Sequence, residues 1–300
     1  MPTLQPNYAD GFFDVGTEHG FLPSALPLEK LEGAYLPLQN LLDNMPVVLG
    51  DNKFGYLHTP NAIATAVDEL PNLFEFVKAE NNIHLIQALF RGYSFLASAY
   101  TLEPSFQHYR ESGNYGKARN ILPPQIAQPF CAVAEKLDVY PWLDYHYAYS
   151  LGNFRKKDKS LGLEWSNLDM CVRFSGQPDE VGFIMLHVDI NQHSPDLVGS
   201  VYQTLKALKN NNQEEASKWL EINYSTMKHM NERRREMWKA SRWQHYNDFR
   251  IFIMGVKGNE EQKFKIIPCI CKYITIFHNI HEDEIELSLF TNNLVDILST

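Results

Sequence analysis

Apolar residues recur at three- and four-residue intervals through much of this chain. Leu85, Leu89, Phe90, Tyr93, Leu96 and Tyr100 keep that spacing and predict an amphipathic or buried helix. Glu103-Pro104 is expected to follow its end, because proline cannot donate the i to i−4 bond, with polar residues 111–117 as a connection. A second helix is expected after Pro123-Pro124, with Ile126, Val133 and Leu137 inward and a kink at Pro129. Residues 140–154 are strongly aromatic, and the basic cluster Arg155-Lys156-Lys157 suits a helix C-terminal turn.

Residues 175–180 have loop chemistry and mark the best domain boundary. Phe183, Leu186, His187 and Ile190 then form a helical stripe. Ser194-Pro195-Asp196 opens another helix, with Ser194 as N-cap and Pro195 at the first position, carrying Val198, Val201, Leu205 and Leu208. Residues 213–239 read as one long helix with Trp219, Ile222, Met227, Met230 and Met237, and residues 243–254 as one more. The best strand signal is short, at residues 47–49. The fold class expected is all-α.

Composition narrows the function. The chain has 300 residues, 44% of them hydrophobic, with 18 Phe, 15 Tyr and 5 Trp, which is enough for a sizeable core. A formal net charge of −9 argues against nucleic acid or anionic lipid as partner. The run Arg233-Arg234-Arg235, between Glu232 and Glu236, reads as a solvated helix face. No stretch of 18 apolar residues is present and residues 1–14 lack the pattern of a secretory signal, so neither membrane insertion nor export is expected. Cys131, Cys171, Cys269 and Cys271 show no metal-type spacing and read as reduced thiols of a cytoplasmic protein.

Glycine-rich phosphate loops, GxSxG and HExxH are all absent. Two features carry chemistry instead. His146 and His187 are among 11 histidines and lie in apolar settings, where a satisfied core histidine is the ordinary alternative to a functional one. Arg250 stands among Phe249, Ile251, Phe252 and Ile253, just before Gly255-Val256-Lys257-Gly258-Asn259. Such an arginine either packs its stem on the core with its head in solvent, or meets an anionic partner.

Three blocks in unbroken order resemble the indoleamine 2,3-dioxygenase family of haem enzymes. They are Leu122-Pro123-Pro124-Gln125 continuing to Gly152-Asn153-Phe154-Arg155-Lys156-Lys157-Asp158, then Asn167-Leu168-Asp169 through Gly182-Phe183 to Asp189-Ile190, then Phe249-Arg250-Ile251 to Lys257-Gly258-Asn259. Gly20-Phe21-Leu22-Pro23 is a weaker echo. The resemblance implies a two-domain helical fold, a small N-terminal domain at residues 1–175 roofing the pocket and a large haem-binding domain beginning at residues 176–260. It implies haem b as cofactor, and L-tryptophan or a related indole with O2 as substrates. The product would be of the N-formylkynurenine type, made by inserting both oxygen atoms across the indole C2–C3 bond.

By that resemblance Arg250 holds the substrate carboxylate through its planar fork. Phe183 lines the indole site, Tyr246 and His245 occupy aromatic pocket positions, and His146, Tyr149 and Ser150 fall in the roof. His187 stands where animal members have a serine near the indole nitrogen, so it is the catalytic candidate, accepting the indole N–H as a neutral imidazole. The resemblance stops near Glu260. Residues 261–300 contain no counterpart of the proximal-histidine helix, so no metal ligand is assigned; His278 and His281 are the histidines of that stretch. A truncated or frameshifted enzyme, inactive as written, is the corresponding expectation. Two other readings stay open: a pyrrolnitrin-type enzyme that rearranges tryptophan, and an apo helical protein that only binds.

Overall fold

A computed structural model of the chain describes residues 15–50 and 52–253. The expectations concerning the Lys257-Gly258-Asn259 turn, Cys269, Cys271, His278, His281 and residues 261–300 lie outside the described residues. The architecture is helical, as the periodicity predicts. Its helices are α1 (Leu36–Asp43), α2 (Ala62–Asp68), α3 (Phe74–Ala79), α4 (Ile83–Ser112), α5 (Pro124–Leu137), α6 (Pro178–Asn191), α7 (Ser194–Lys209), α8 (Gln213–Arg234), α9 (Met237–Ala240) and α10 (Asn247–Arg250). Two small antiparallel hairpins interrupt them, β1 (Val48–Gly50) with β2 (Lys53–Phe54), and β3 (Phe154–Lys156) with β4 (Leu168–Met170). Among the described residues, no helix is long and apolar enough to cross a membrane.

Helix α4 is the central element, capped at its start by the Asn82 side chain and closed by Gly113 at φ 75°. It runs straight through Pro104, contrary to expectation. Proline at 104 orphans the carbonyl of Tyr100. That carbonyl accepts from Arg119 Nη1 at 2.6 Å, and the neighbouring Thr101 carbonyl accepts from the Arg119 N–H at 2.8 Å. The same guanidinium pairs with buried Glu103 at 2.7 Å and lies over the Tyr100 ring. The segment after α4 therefore supplies the donors that let the helix pass its proline. Pro129 is likewise inside α5, which continues to Leu137.

Several expected boundaries shift. Residues 155–157 do not close a helix. The aromatic segment forms a π-helix over Tyr145–Leu151, and the chain then extends into β3, where Arg155 pairs with Asp169 of β4 at 2.7 Å. Pro178, Asp179 and Glu180 are the first turn of α6 rather than loop. Ser194 is not a cap. His193 holds the cap position, while Ser194 Oγ donates to the Asn191 carbonyl and accepts from the Phe21 N–H at 2.8 Å. This contact explains Gly20, whose φ is +60° and whose Cβ position would collide with Ser194 Oγ. The expected helix over 213–239 breaks after Arg234, and 243–254 resolves into a short turn at Trp243–His245, α10 and a turn at Ile251–Ile253.

One apolar cluster runs from Leu22 through α1–α6 to Phe252. Phe174 stacks on Phe95 at 4.5 Å and on Phe252 at 4.8 Å, and Ser98 Oγ donates to the Phe252 carbonyl. These contacts dock the segment that follows α10 onto α4. The α7–α8 pair is different. Its contact face is small and polar, with Ser200, Thr204, Ala207 and Ala216 buried. Val201, Leu205 and Leu208, together with Leu220, Tyr224 and Met227, are exposed instead of packed.

Arg233 is not a solvated charge. Its guanidinium grips Asp189 of α6 as a fork, Nε to Oδ1 at 2.8 Å and Nη2 to Oδ2 at 2.6 Å, and Asp189 is fully buried. Asp189 also accepts the Trp165 N–H at 2.8 Å. One carboxylate thus ties α6 to α8 and to the turn before β4. Gly182, on α6, permits the close approach of α9, since a Cβ there would strike the Ala240 carbonyl.

Candidate functional site

Helix α6 presents two faces. Ile184, Met185, Leu186 and Val188 are buried in the core, whereas Phe183, His187 and Ile190 are only partly covered. Phe183 is the hub of a ring cluster on that second face. Its centroid lies 5.1 Å from His187, 5.5 Å from Tyr246 and 5.8 Å from Phe249. Tyr246 and Phe249 are in edge contact at 5.3 Å, and the Arg250 guanidinium lies over the Tyr246 ring at 5.8 Å. Buried Phe249, Ile251 and Phe252 anchor the segment, and Arg250 between them is exposed. Among the described residues, no carboxylate pairs with it.

The π-helix brings the second wall. Asp144 holds its start by accepting the N–H groups of Tyr147 at 2.6 Å and Ala148 at 3.1 Å. Tyr145 and Tyr149 are one wide turn apart with rings 5.5 Å from each other, and Tyr145 meets His187 edge-on at 5.8 Å. Tyr149 is buried and donates to Glu180 at 3.4 Å. His187, Phe183, Tyr149, Tyr246 and Arg250 are therefore linked through continuous ring contacts. His146 and Ser150 share the π-helix; His146 is exposed and Ser150 is buried. His245 turns away toward Asp248, at 3.1 Å. Tyr145 was not selected from sequence, although its place four residues before Tyr149 was the available signal.

The electrostatics of His187 follow from its bonds. Nδ1 lies 2.8 Å from the Phe183 carbonyl, an acceptor only, so Nδ1 carries the proton and Nε2 is left with a lone pair. Burial among rings pushes the imidazole below its ordinary pKa, only partly opposed by that carbonyl. It is neutral and accepting at physiological pH. Glu180, at the start of α6, is fully buried and accepts from the Phe174 N–H at 2.9 Å, the Ser175 N–H at 2.6 Å and Ser175 Oγ at 2.7 Å. Burial raises its pKa, and those donors offset part of the rise.

Because the folded chain holds the Glu180 proton more tightly than the unfolded chain does, the stability this group contributes is fully present below the ordinary value of 4.5 and is lost as pH rises through the folded value. A Glu180→Gln variant lacks that decline. Urea midpoints measured across this acid range should diverge between the two proteins, and parallel curves would contradict the assignment.

The donor set suits the substrate side of a haem better than its iron. It consists of aromatic walls, one neutral acceptor, one guanidinium, and the Ser150 hydroxyl, which is buried with no hydrogen-bond partner among the described residues. Among the described residues, no group of three His, Cys, Asp or Glu side chains is placed to hold a metal ion. A cleft of about 470 Å³ lies elsewhere, at the N-terminal end of α6, lined by residues such as Lys157, Asp169, Asp179 and Arg242. Its charges are committed: Arg242 forks onto Asp179 at 3.0 and 3.1 Å, and Asp169 pairs with Arg155 and Arg173.

Comparison with known proteins agrees with the motif blocks. The model of the family described as indoleamine 2,3-dioxygenase matches residues 10–267. Indoleamine 2,3-dioxygenase 1 of Rattus norvegicus is 24% identical over 271 residues, covering 86% of this chain and 60% of the rat protein. Indoleamine 2,3-dioxygenase acdA of Aspergillus candidus is 23% identical, covering 82% of this chain and 57% of its own length. The Saccharomyces cerevisiae indoleamine 2,3-dioxygenase is 25% identical over 214 residues, 42% of its length. The chain thus spans about half the length of the relatives it matches.

Proposed function

The chain belongs to the indoleamine 2,3-dioxygenase family, and from that premise we propose that it carries the substrate-binding wall of a haem-dependent dioxygenase acting on L-tryptophan or a related indole. One observation carries the reading. A histidine whose Nε2 is held as an acceptor touches the same phenylalanine as the tyrosine on which Arg250 rests. Residues 1–175 are proposed as the small domain that contributes the roof, and residues 176–260 as the beginning of the haem-binding domain.

Haem, when bound, supplies the activation of O2. The side chains bind and orient. Phe183 and Tyr246, set edge-on to each other and backed by buried Phe249, offer an apolar corner in which an indole ring finds stacked or edge contacts. His187 Nε2 accepts the indole N–H, which fixes the ring's rotation within that corner. Arg250 takes the amino-acid carboxylate through two parallel N–H bonds, which sets the distance between the side-chain and main-chain ends of the ligand. His146 and Ser150 stay assigned to the roof, with the Ser150 hydroxyl available as a donor to a ligand oxygen. His245, engaged with Asp248, is proposed only as a pocket-edge residue.

The test is spectroscopic. The purified full chain supplemented with haem should develop a Soret band that moves when CO is added to the reduced form, and that is perturbed by L-tryptophan. A chain that stays colourless and shows no calorimetric heat with L-tryptophan would overturn the proposal, favouring an inert helical protein.

A further inference from the structure

The acceptor on His187 has a partner within the chain itself. Tyr145 Oη stands 3.5 Å from Nε2, at the outer limit of a hydrogen bond. Because Nδ1–H is committed to the Phe183 carbonyl, the lone pair on Nε2 can only receive, so the phenol donates. The two tyrosines on this side of the π-helix differ in freedom. Tyr149 is buried and tied to Glu180, whereas Tyr145 has 43% of its surface exposed and makes its contact to His187 from the first position of the π-helix. Asp144 caps the turn that Tyr145 opens through the N–H groups of Tyr147 and Ala148, while the Tyr145 ring borders solvent.

We propose that Tyr145 is a binding-site residue whose hydroxyl donates to the same His187 Nε2 lone pair that a ligand N–H takes on binding, so that the phenol competes with the ligand and the lone pair selects for an N–H. The inference rests on the reading of this face as an indole site. A ligand with a ring N–H displaces the phenol and replaces its bond. A ligand of the same shape with oxygen in place of the N–H displaces the phenol without replacing its bond, and leaves the lone pair unsatisfied. Discrimination of this kind arises because a buried acceptor left without a donor is costly. The long Tyr145–His187 contact makes the displacement easy, so the effect is a matter of a few-fold.

The test uses the full chain labelled with ¹⁵N-histidine. In Tyr145→Phe, the His187 Nε2 resonance should move toward the value of an unbonded imidazole nitrogen while Nδ1 remains protonated. Indole should then bind about threefold tighter than to the unsubstituted chain, corresponding to loss of a weak competing hydrogen bond. Benzofuran, which has no N–H to replace the lost bond, should bind both proteins more weakly than indole and should gain as much as indole from the substitution, since it displaces the same phenol. An unmoved Nε2 resonance would overturn the proposal and leave the indole-site reading standing. A moved resonance that neither ligand perturbs, in either protein, would overturn both. Equal affinity of indole and benzofuran for the unsubstituted chain would overturn selection through the N–H, and an unchanged affinity of indole in Tyr145→Phe would overturn the competition by the phenol. Tyr145→Leu, which removes the ring as well, should reproduce the Nε2 shift if the hydroxyl is the cause.

Discussion

Replacing Arg250 by alanine is expected to weaken L-tryptophan binding about 100-fold, the loss typical of a charge-assisted, two-pronged hydrogen bond. Tryptamine, which has the indole and the amine but no carboxylate, should bind the variant and the unsubstituted chain alike. The contrast matters because Arg250 is exposed and rests on Tyr246, so its removal could also loosen the aromatic wall. Loosening would reduce both affinities together. Arg250→Lys should recover only part of the loss, since an ammonium retains the charge but not the planar fork. Calorimetric titration of both ligands settles the role; equal losses for tryptophan and tryptamine would remove Arg250 from the carboxylate site.

Asp189→Ala should be strongly destabilising. The carboxylate is fully buried, while its partner Arg233 keeps 28% of its side-chain surface. Removing it strands the guanidinium and orphans the Trp165 N–H, and breaking a buried pair from one side costs about 3–5 kcal/mol. The partial exposure of Arg233 places the expected loss near the lower end, about 3 kcal/mol. Urea unfolding should show the midpoint falling with an unchanged slope. A loss below about 1 kcal/mol would mean that water replaces the bond and that α6 and α8 are held by packing alone. Asp189→Ala and Arg233→Ala combined should cost less than their sum, because the stranded charge is gone.

The Asp189–Arg233 pair also shows where reading the chain stops working. Arg233 sits in an acidic and basic run whose local pattern is that of a solvated face, and nothing within several residues hints otherwise. Its partner is 44 positions away. The same limit applies to Pro104. A proline is a sound local reason to end a helix, and α4 continues only because Arg119, 19 residues beyond Tyr100, reaches back to the freed carbonyl. Ser194 had the right chemistry for a cap and is used instead to fasten Phe21, 173 positions earlier.

What the residues alone determined was everything governed by short-range period: the all-helical class, the existence of α4, α5, α6 and α7, and the family, whose blocks are carried by ordered strings such as Leu122-Pro123-Pro124 and Phe249-Arg250-Ile251. Helical spacing is a property of neighbours, so it survives without knowledge of the rest. Tertiary structure alone decided which side of α6 is left open and that Tyr145 rather than His245 reaches His187. Those outcomes depend on contacts between elements distant in the chain. A backbone carbonyl four residues back orients one nitrogen locally, whereas a π-helix some forty residues upstream supplies the phenol that meets the other.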